Sequence, residues 1–198
     1  MQALILAAGA SSRMGRPKAA LPLGTAGDTV LSTGVRTLLA AGVSDVMVVA
    51  GAHVDAVRAA LPPGERRVRL LEHPGWERGQ LSSLLAGLDA VDDGRCEAVL
   101  VTLVDVPLVQ PDTVRAIIRA WHDSRAPIVR PISGELHGHP VIFDRSVFAD
   151  LRRADPAVGA KAVFEIHRAR IREVEVRDPG AFQDLDTPEE YREVQKGF

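Results

Sequence analysis

The reactive side chains of this chain gather in a few short strings, and the first points to phosphate chemistry. Gly9-Ala10-Ser11-Ser12-Arg13-Met14-Gly15-Arg16-Pro17-Lys18 follows directly on the apolar run Ala3–Ala8. Glycines let backbone N–H groups approach a ligand closely, serines add hydroxyl donors, and Arg13, Arg16 and Lys18 bring positive charge. Donors and cations on one turn make a polyphosphate cradle. The loop lacks the Gly-Lys-Ser/Thr triplet of a Walker A motif and the Gly-x-Gly-x-x-Gly of a dinucleotide fingerprint. A Gly/Ser turn with solvated cations would have the same composition. Of the 24 basic residues only Lys18, Lys161 and Lys196 are lysines, so each merits inspection.

Asp105 ends the apolar run AVLVTLV and precedes Val106-Pro107. A carboxylate at the mouth of a strand is well placed to hold Mg²⁺ against phosphate oxygens, although an Asp before a Pro-containing turn also serves as a plain cap. In the stretch His73–Leu84 the leucines are core residues. Gly79, Gln80, Ser82 and Ser83 either present amides and hydroxyls to a base or ribose or simply start a helix. His137 and His139 would share one face of a strand, but no Cys or further His nearby supports a metal pair. No Ser/His/Asp or Cys/His arrangement is legible, so acyl transfer has no support. Trp76, Trp121, Phe164 and Tyr191 sit on apolar spacings and read as core.

The elements that must position these residues alternate in kind. Ala3–Ala8, Asp45–Ala50, Val68–Glu72, Ala98–Val104 and Pro127–Arg130 read as strands, and three of them are nearly continuous in apolar residues, as in a sheet covered on both faces. Leu81, Leu84, Leu85 and Leu88, and likewise Val114, Ile117, Ile118 and Trp121, repeat at helical spacing. A helix from Val30 to Ala41 stops at Gly42. Later, His139–Phe143 and Ile171–Val176 read as strands, Ser146–Arg153 and Gly159–Arg168 as helices, and Thr187-Pro188-Glu189-Glu190 as a capped helix start. The pattern predicts an α/β fold, a three-layer Rossmann-like and mainly parallel sheet with helices on both sides. Ligands of such sheets bind at the carboxyl ends of the strands, where the first loop lies.

With 198 residues, 46% hydrophobic and 25% charged, the chain suits one soluble domain spanning 1–198. A net charge of −2 gives no electrostatic case for nucleic acid or a membrane surface. Cys96 is the only cysteine, which excludes an intrachain disulfide and a Cys-based zinc site. Ala3–Ala8 is too short and unflanked for a signal peptide, and no apolar run approaches membrane-spanning length, so the expected compartment is the cytoplasm.

From Leu6 to Lys18 the chain fills the pattern Leu-x-Ala-Gly-x-Ser-x-Arg-Met-Gly-x-x-Lys. In this it resembles the MobA-like NTP transferases, within the nucleotide-diphospho-sugar transferase fold, and most closely their molybdenum-cofactor cytidylyltransferase branch. The resemblance implies that Leu6, Ala7, Ala8, Gly9, Ser11, Arg13, Gly15 and Lys18 wrap a nucleoside triphosphate, with Arg13 and Lys18 neutralising its phosphates. It implies that Asp105, in a Gly-Asp-x-Pro position where Val104 replaces Gly, is a metal ligand acting with Arg13 and Lys18 in catalysis. A second ligand is implied at Asp186, in a segment similar to the family's Asp-Thr-Pro-Glu, although helix initiation explains the same string. Gly79, Gln80, Ser82 and Ser83 correspond to a stretch beside the nucleotide, with His73 where Asn is usual. Gly138, His139 and Pro140 match a Gly-His-Pro element of the acceptor pocket, and Lys161 stands where the family has Arg.

The activity implied is Mg²⁺-dependent transfer of a nucleoside monophosphate, CMP from CTP, to a phosphorylated small-molecule acceptor such as molybdopterin, with pyrophosphate released. A molybdoenzyme that receives the product is a further implied partner. The preference for CTP rests on Ala8, since Leu-Ala-Ala-Gly accompanies CTP and Leu-Ala-Gly-Gly accompanies GTP in that family. Two alternatives stay open: another nucleotidyltransferase acting on a sugar phosphate or other small phosphate, and an NTP-binding chaperone or regulator that has lost catalysis.

Overall fold

The apolar runs become strands of one sheet in the computed structural model, which describes residues 1–24 and 27–197. The strands are β1 (Gln2–Ala7), β2 (Asp45–Ala50), β3 (Val68–Glu72), β4 (Ala98–Leu103), β5 (Ile128–Ser133), β6 (Leu136–His137), β7 (Val141–Asp144) and β8 (Ile171–Glu175). Seven of them lie in the order β3-β2-β1-β4-β7-β5-β6, and β8 pairs with β5. Among the described residues four of the seven ladders are parallel; the antiparallel ones are β4–β7, β5–β7 and β5–β6. The first half of the chain is thus wound as βαβ units, and the second is built from returning strands.

The helices are α1 (Val30–Ala40), α2 (Val54–Ala59), α3 (Gln80–Val91), α4 (Pro111–Ser124), α5 (Phe148–Arg153), α6 (Lys161–Ile166) and α7 (Pro188–Gln195). Alternate residues of β1 feed two cores, as a period of two requires. Ala3 and Ile5 pack with Leu31, Val35, Val57 and Ile117 of α1, α2 and α4 on one face. Leu4 and Leu6 pack with Leu84 and Leu88 of α3 and Leu151 of α5 on the other. These are the three layers. A third cluster lies off the sheet and joins Met14, Leu21 and Leu23 to Leu185, Tyr191 and Val194 of the C-terminal segment. No helix is long and apolar enough to cross a membrane.

The expected elements differ from this architecture where they are short. The helix foreseen over Gly159–Arg168 contracts to Lys161–Ile166, because Gly159 stands in a left-handed turn at φ 74°. That over Ser146–Arg153 opens with a 3₁₀ turn, Arg145–Val147, before α5. The strand at His139 begins only at Val141, after the cis peptide His139–Pro140. Six-residue α2 and two-residue β6 carry too few positions for a periodic signal and were not foreseen.

Candidate active site

The carboxyl ends of β1 and β4 lie side by side, and a cavity of about 360 Å³ opens over them. Leu6, Ala7, Ala8, Gly9, Ser11 and Lys18 form one wall, and Leu103, Val104 and Asp105 the floor beside it. The loop between is fixed by its own backbone. Ser11 adopts a left-handed φ of 52°, unusual for a residue with a Cβ, and its carbonyl accepts the N–H groups of Met14 and Gly15, both at 3.0 Å. Its hydroxyl accepts the Lys18 N–H at 3.3 Å. Met14 is buried in the third cluster as an anchor. Together these aim the Lys18 side chain inward, where it is 9% exposed.

Lys18 Nζ bridges two carboxylates from distant parts of the chain. It donates to Asp105 Oδ2 at 3.1 Å and to Asp186 Oδ1 at 2.5 Å, and Arg13 Nη2 meets Asp186 Oδ2 at 2.8 Å. The C-terminal segment delivers Asp186: the Leu185 N–H donates to the Asp105 carbonyl at 2.7 Å, and the Asp186 N–H donates to Glu190 Oε2 at 2.8 Å. Tyr191 Oη donates to the Pro22 carbonyl at 2.5 Å, tying α7 to the chain just after the loop. The foreseen capping box of Thr187 and Glu190 is present, so the string around Asp186 both starts a helix and places a carboxylate. Burial alone would raise the Asp186 carboxyl, but its hydrogen bond and charge pairing with Lys18, and then Arg13, hold it below the usual range. Asp184, which the sequence reading passed over, is pushed up by desolvation and by the charges of Asp105 and Asp186.

The donor set suits a hard divalent cation. Asp105 Oδ1 is buried without a partner, and Asp186 supplies further carboxylate oxygen across the same ammonium. Among the described residues no group of three or more His, Cys, Asp or Glu has metal-binding arrangement, so these aspartates would fill only part of a coordination shell. Val104, where the family pattern has Gly, does not need the left-handed region: among the described non-glycine residues only Ser11 and Arg125 have positive φ. Its N–H donates to the Leu6 carbonyl at 3.1 Å, stitching β4 to β1 at the cavity.

The start of α3 forms the opposite wall. Gly79 caps it at φ 96° with no side-chain cap, and Gly79, Gln80 and Ser83 reach the cavity, where the helix N-terminus favours an oxygen-rich ligand. Ser82 does not join them. Its hydroxyl turns back to the carbonyls of Gly79 (2.8 Å) and Gly75 (3.2 Å) and to His73 Nε2 (3.1 Å), bracing the loop. His73 is buried, and desolvation followed by the Arg78 charge lowers its basicity. Arg13 and Gly15 also lie off the cavity wall. Among the wall residues missed are His53, whose Nε2 meets the Ala10 carbonyl at 2.9 Å, and Trp76, read as core. The signal for His53 was its position just past β2, at the same sheet edge as the loop. Trp76 is held in place by Gly51, whose Cβ would fall 2.5 Å from the Trp76 Cβ and 2.6 Å from the Ala8 carbonyl.

A second cavity, of about 400 Å³, adjoins the first and shares Leu6, Gln80 and Leu103 with it. Gly138, His139 and Lys161 line it, together with apolar walls from Leu84, Val141, Phe143 and Phe164. Phe164, read as core, is therefore a wall. Gly138 has no room for a side chain, since a Cβ would stand 2.3 Å from the Ala181 carbonyl, which accepts the His139 N–H at 2.8 Å. His139 Nδ1 is buried without a partner, and desolvation keeps the ring below its ordinary basicity despite the Val101 carbonyl and Asp105 nearby. Pro140 faces away, toward Val106 and Pro107 on the other side of the sheet. His137 and His139 do not form a pair: His137 sits on β6 against Arg130 and Glu173, at 2.8 and 3.4 Å.

Comparison with known proteins agrees with this geometry. The family profile of the MobA-like NTP transferase domain matches residues 3–174. The chain is 28% identical to "Purine catabolism protein PucB" of Bacillus subtilis, over 98% of this chain and 96% of that one. It is 31% identical to "Nicotine blue oxidoreductase" of Paenarthrobacter nicotinovorans, over 94% and 92%. It is 24% identical to "Molybdenum cofactor cytidylyltransferase" of Escherichia coli, over 95% and 92%. The crystal structure of Rv0371c from Mycobacterium tuberculosis superposes with a TM-score of 0.82 at 30% identity, covering 99% of this chain and 98% of that one, and Rv0371c has also been solved in complex with manganese.

Proposed function

We propose, from the premise that the chain belongs to the MobA-like NTP transferase domain family and is a nucleotidyltransferase, that it moves CMP from CTP to the phosphate of a molybdopterin-like acceptor with Mg²⁺. The observation that carries this reading is Lys18 held between Asp105 and Asp186 at the mouth of a cavity walled by the glycine-serine loop. CTP would lie in the first cavity with its phosphates along that loop, and its base near Ala8, whose methyl group narrows the wall. The acceptor would fill the second cavity against Gly138, His139 and Lys161.

In the reaction an acceptor phosphate oxygen attacks the α-phosphorus, a new P–O–P bond forms, and the bond to the β-phosphate breaks as pyrophosphate leaves. A phosphate monoester is already an anion, so no general base is required. Lys18 neutralises charge on the α-phosphate as it builds, and Arg13, on the exposed side of Asp186, pairs with departing pyrophosphate. Asp105 and Asp186 would hold Mg²⁺, which, when bound, supplies charge neutralisation along the phosphates. That Rv0371c has been solved in complex with manganese favours a divalent ion for this chain as well. Ala8 and the cytidylyltransferase relative favour CTP, and the same relative favours molybdopterin.

The test is an incubation of the protein with CTP, Mg²⁺ and molybdopterin, with pyrophosphate and the cytosine dinucleotide both quantified. Equal amounts of the two products support the reading. Pyrophosphate formed only when a sugar phosphate replaces molybdopterin transfers the chain to the sugar-phosphate alternative. Binding of CTP with no pyrophosphate from any acceptor leaves the regulator alternative.

A further inference from the structure

Arg130 was not singled out by its sequence position, yet it stands at the end of the second cavity remote from the transfer centre. The register places it. Val129 pairs with Ile142 and Ile142 with Leu100, so Arg130 lies level with Val101, two strands from β4. Strands about 4.8 Å apart and residues about 3.3 Å apart put its backbone about 10 Å across the sheet and about 13 Å short of the level of Asp105. A group bound there cannot be the one that reacts.

The guanidinium is prepared for a ligand. Its side chain is 17% exposed. Nε and Nη2 both donate to Glu173 Oε1, at 3.2 and 2.6 Å, and Nη2 also meets His137 Nε2 at 2.8 Å. The Phe164 ring lies beneath it at 5.5 Å, so three sides are fixed. Among the described residues no hydrogen bond or ion pair engages Nη1, and Arg130 lines the cavity. Lys161 lines the same cavity and, unlike Lys18 and Lys196, has no ion pair among the described residues. Apolar and aromatic side chains share the cavity wall with these cations, Phe143 and Phe164 meeting edge to face.

Resting on the acceptor assignment above, we infer that Arg130, braced by Glu173 and backed by Lys161, is a specificity-determining residue that binds an oxygen-bearing group, carbonyl or carboxylate, at the end of the acceptor remote from its phosphate. The apolar middle takes a flat body. The cavity therefore selects a planar, oxygen-edged molecule over a simple phosphomonoester, because a short acceptor leaves Nη1 and Lys161 without partners.

Two fluorescent flat heterocycles without phosphate, 6-carboxypterin and lumazine, probe that end alone, and the second carries carbonyls but no carboxylate. Titrations follow their emission with wild type, Arg130→Lys, Arg130→Met and Lys161→Met, and each variant is checked for an unchanged melting shift with CTP and Mg²⁺. The expected result is binding of at least one probe by wild type, weakened tenfold or more by Arg130→Lys and several-fold by Lys161→Met, with the CTP shift retained. Preference for 6-carboxypterin assigns the group as a carboxylate, and equal binding assigns it as a carbonyl. Failure of both probes to bind wild type, or binding that Arg130→Lys leaves unchanged, overturns the inference. Absence of the CTP shift in wild type instead defeats the CTP reading of the proposed function, so the two failures are told apart. Should Arg130→Met not fold, Arg130→Lys and Lys161→Met carry the result.

Discussion

The two cavities share a wall and differ in almost everything else. The first has an ionic edge: Lys18 and Asp105 on its wall, with Asp186 and Arg13 paired to Lys18 just off it, on a loop whose backbone is tied at Ser11 and Gly15. The second has an apolar and aromatic body from Leu84, Val141, Phe143 and Phe164, with Arg130, His137 and Lys161 also on its wall and one buried imidazole nitrogen left open. The parallel half of the sheet carries the first and the antiparallel half the second. The lesson is a division of labour. Charge neutralisation at phosphorus asks for fixed groups converging from several elements, whereas recognition of a variable partner asks for a slot whose ends can change.

The comparison breaks most severely at the clamp. Lys18→Met should lower transfer by roughly 10²–10³-fold, the cost of removing a preorganised charge at a developing anion, and leave Asp105 and Asp186 facing each other unneutralised. Steady-state pyrophosphate release checks this, and a loss below tenfold would remove Lys18 from the chemistry.

A smaller effect is expected where the second cavity is pinned. Gly138→Ala would drive a methyl group onto the Ala181 carbonyl, 2.3 Å away, with neither backbone free to move. Overpacking of this kind costs about 1–3 kcal/mol, a fall of several degrees in Tm for a chain of this size. The acceptor KM should rise while CTP binding stays, and a change confined to CTP would merge the two regions that the account separates.

The smallest effect sharpens the bracing loop. His73 is neutral and buried, with its folded-state pKa below the ordinary imidazole value of 6.5. The unfolded chain therefore takes up a proton first as pH falls, so this contribution is complete above pH 6.5 and declines below it. Melting curves between pH 7.5 and about pH 5.5 should show a loss that His73→Asn reduces. Identical slopes for wild type and variant would mean that His73 does not titrate on unfolding.

How much of this was legible in the sequence followed the same divide. The strands β2 and β3 were read to the residue, because continuous apolar runs and a short period leave little freedom. The Leu6–Lys18 string located the first cavity, since backbone geometry and charge there are written in consecutive residues. That Lys18 lies between Asp105 and Asp186 was not legible: it depends on the C-terminal segment docking through Leu185 and Tyr191, of which only Tyr191 was read, as core. Ser82 was read as a ligand donor, but a hydroxyl in a first helical turn has carbonyls close behind it and turned to them. Pro140 was placed with its neighbours, although consecutive residues of extended chain face opposite sides of the sheet. Arg130 reaches the second cavity, and His53 and Trp76 the first, only through sheet register and loop packing, which a single sequence does not display.

The central claim is that the first cavity binds CTP with a divalent ion through Asp105. The most direct test is the melting midpoint of wild type and Asp105→Asn with CTP, GTP, ATP, UTP and dTTP, each with and without Mg²⁺. A ligand at about 100 times its Kd should add roughly 2.7 kcal/mol of stability. The account predicts that CTP with Mg²⁺ gives the largest shift in wild type and that the Mg²⁺ dependence disappears in Asp105→Asn. A shift that is the same with and without Mg²⁺, or that survives unchanged in Asp105→Asn, would contradict it.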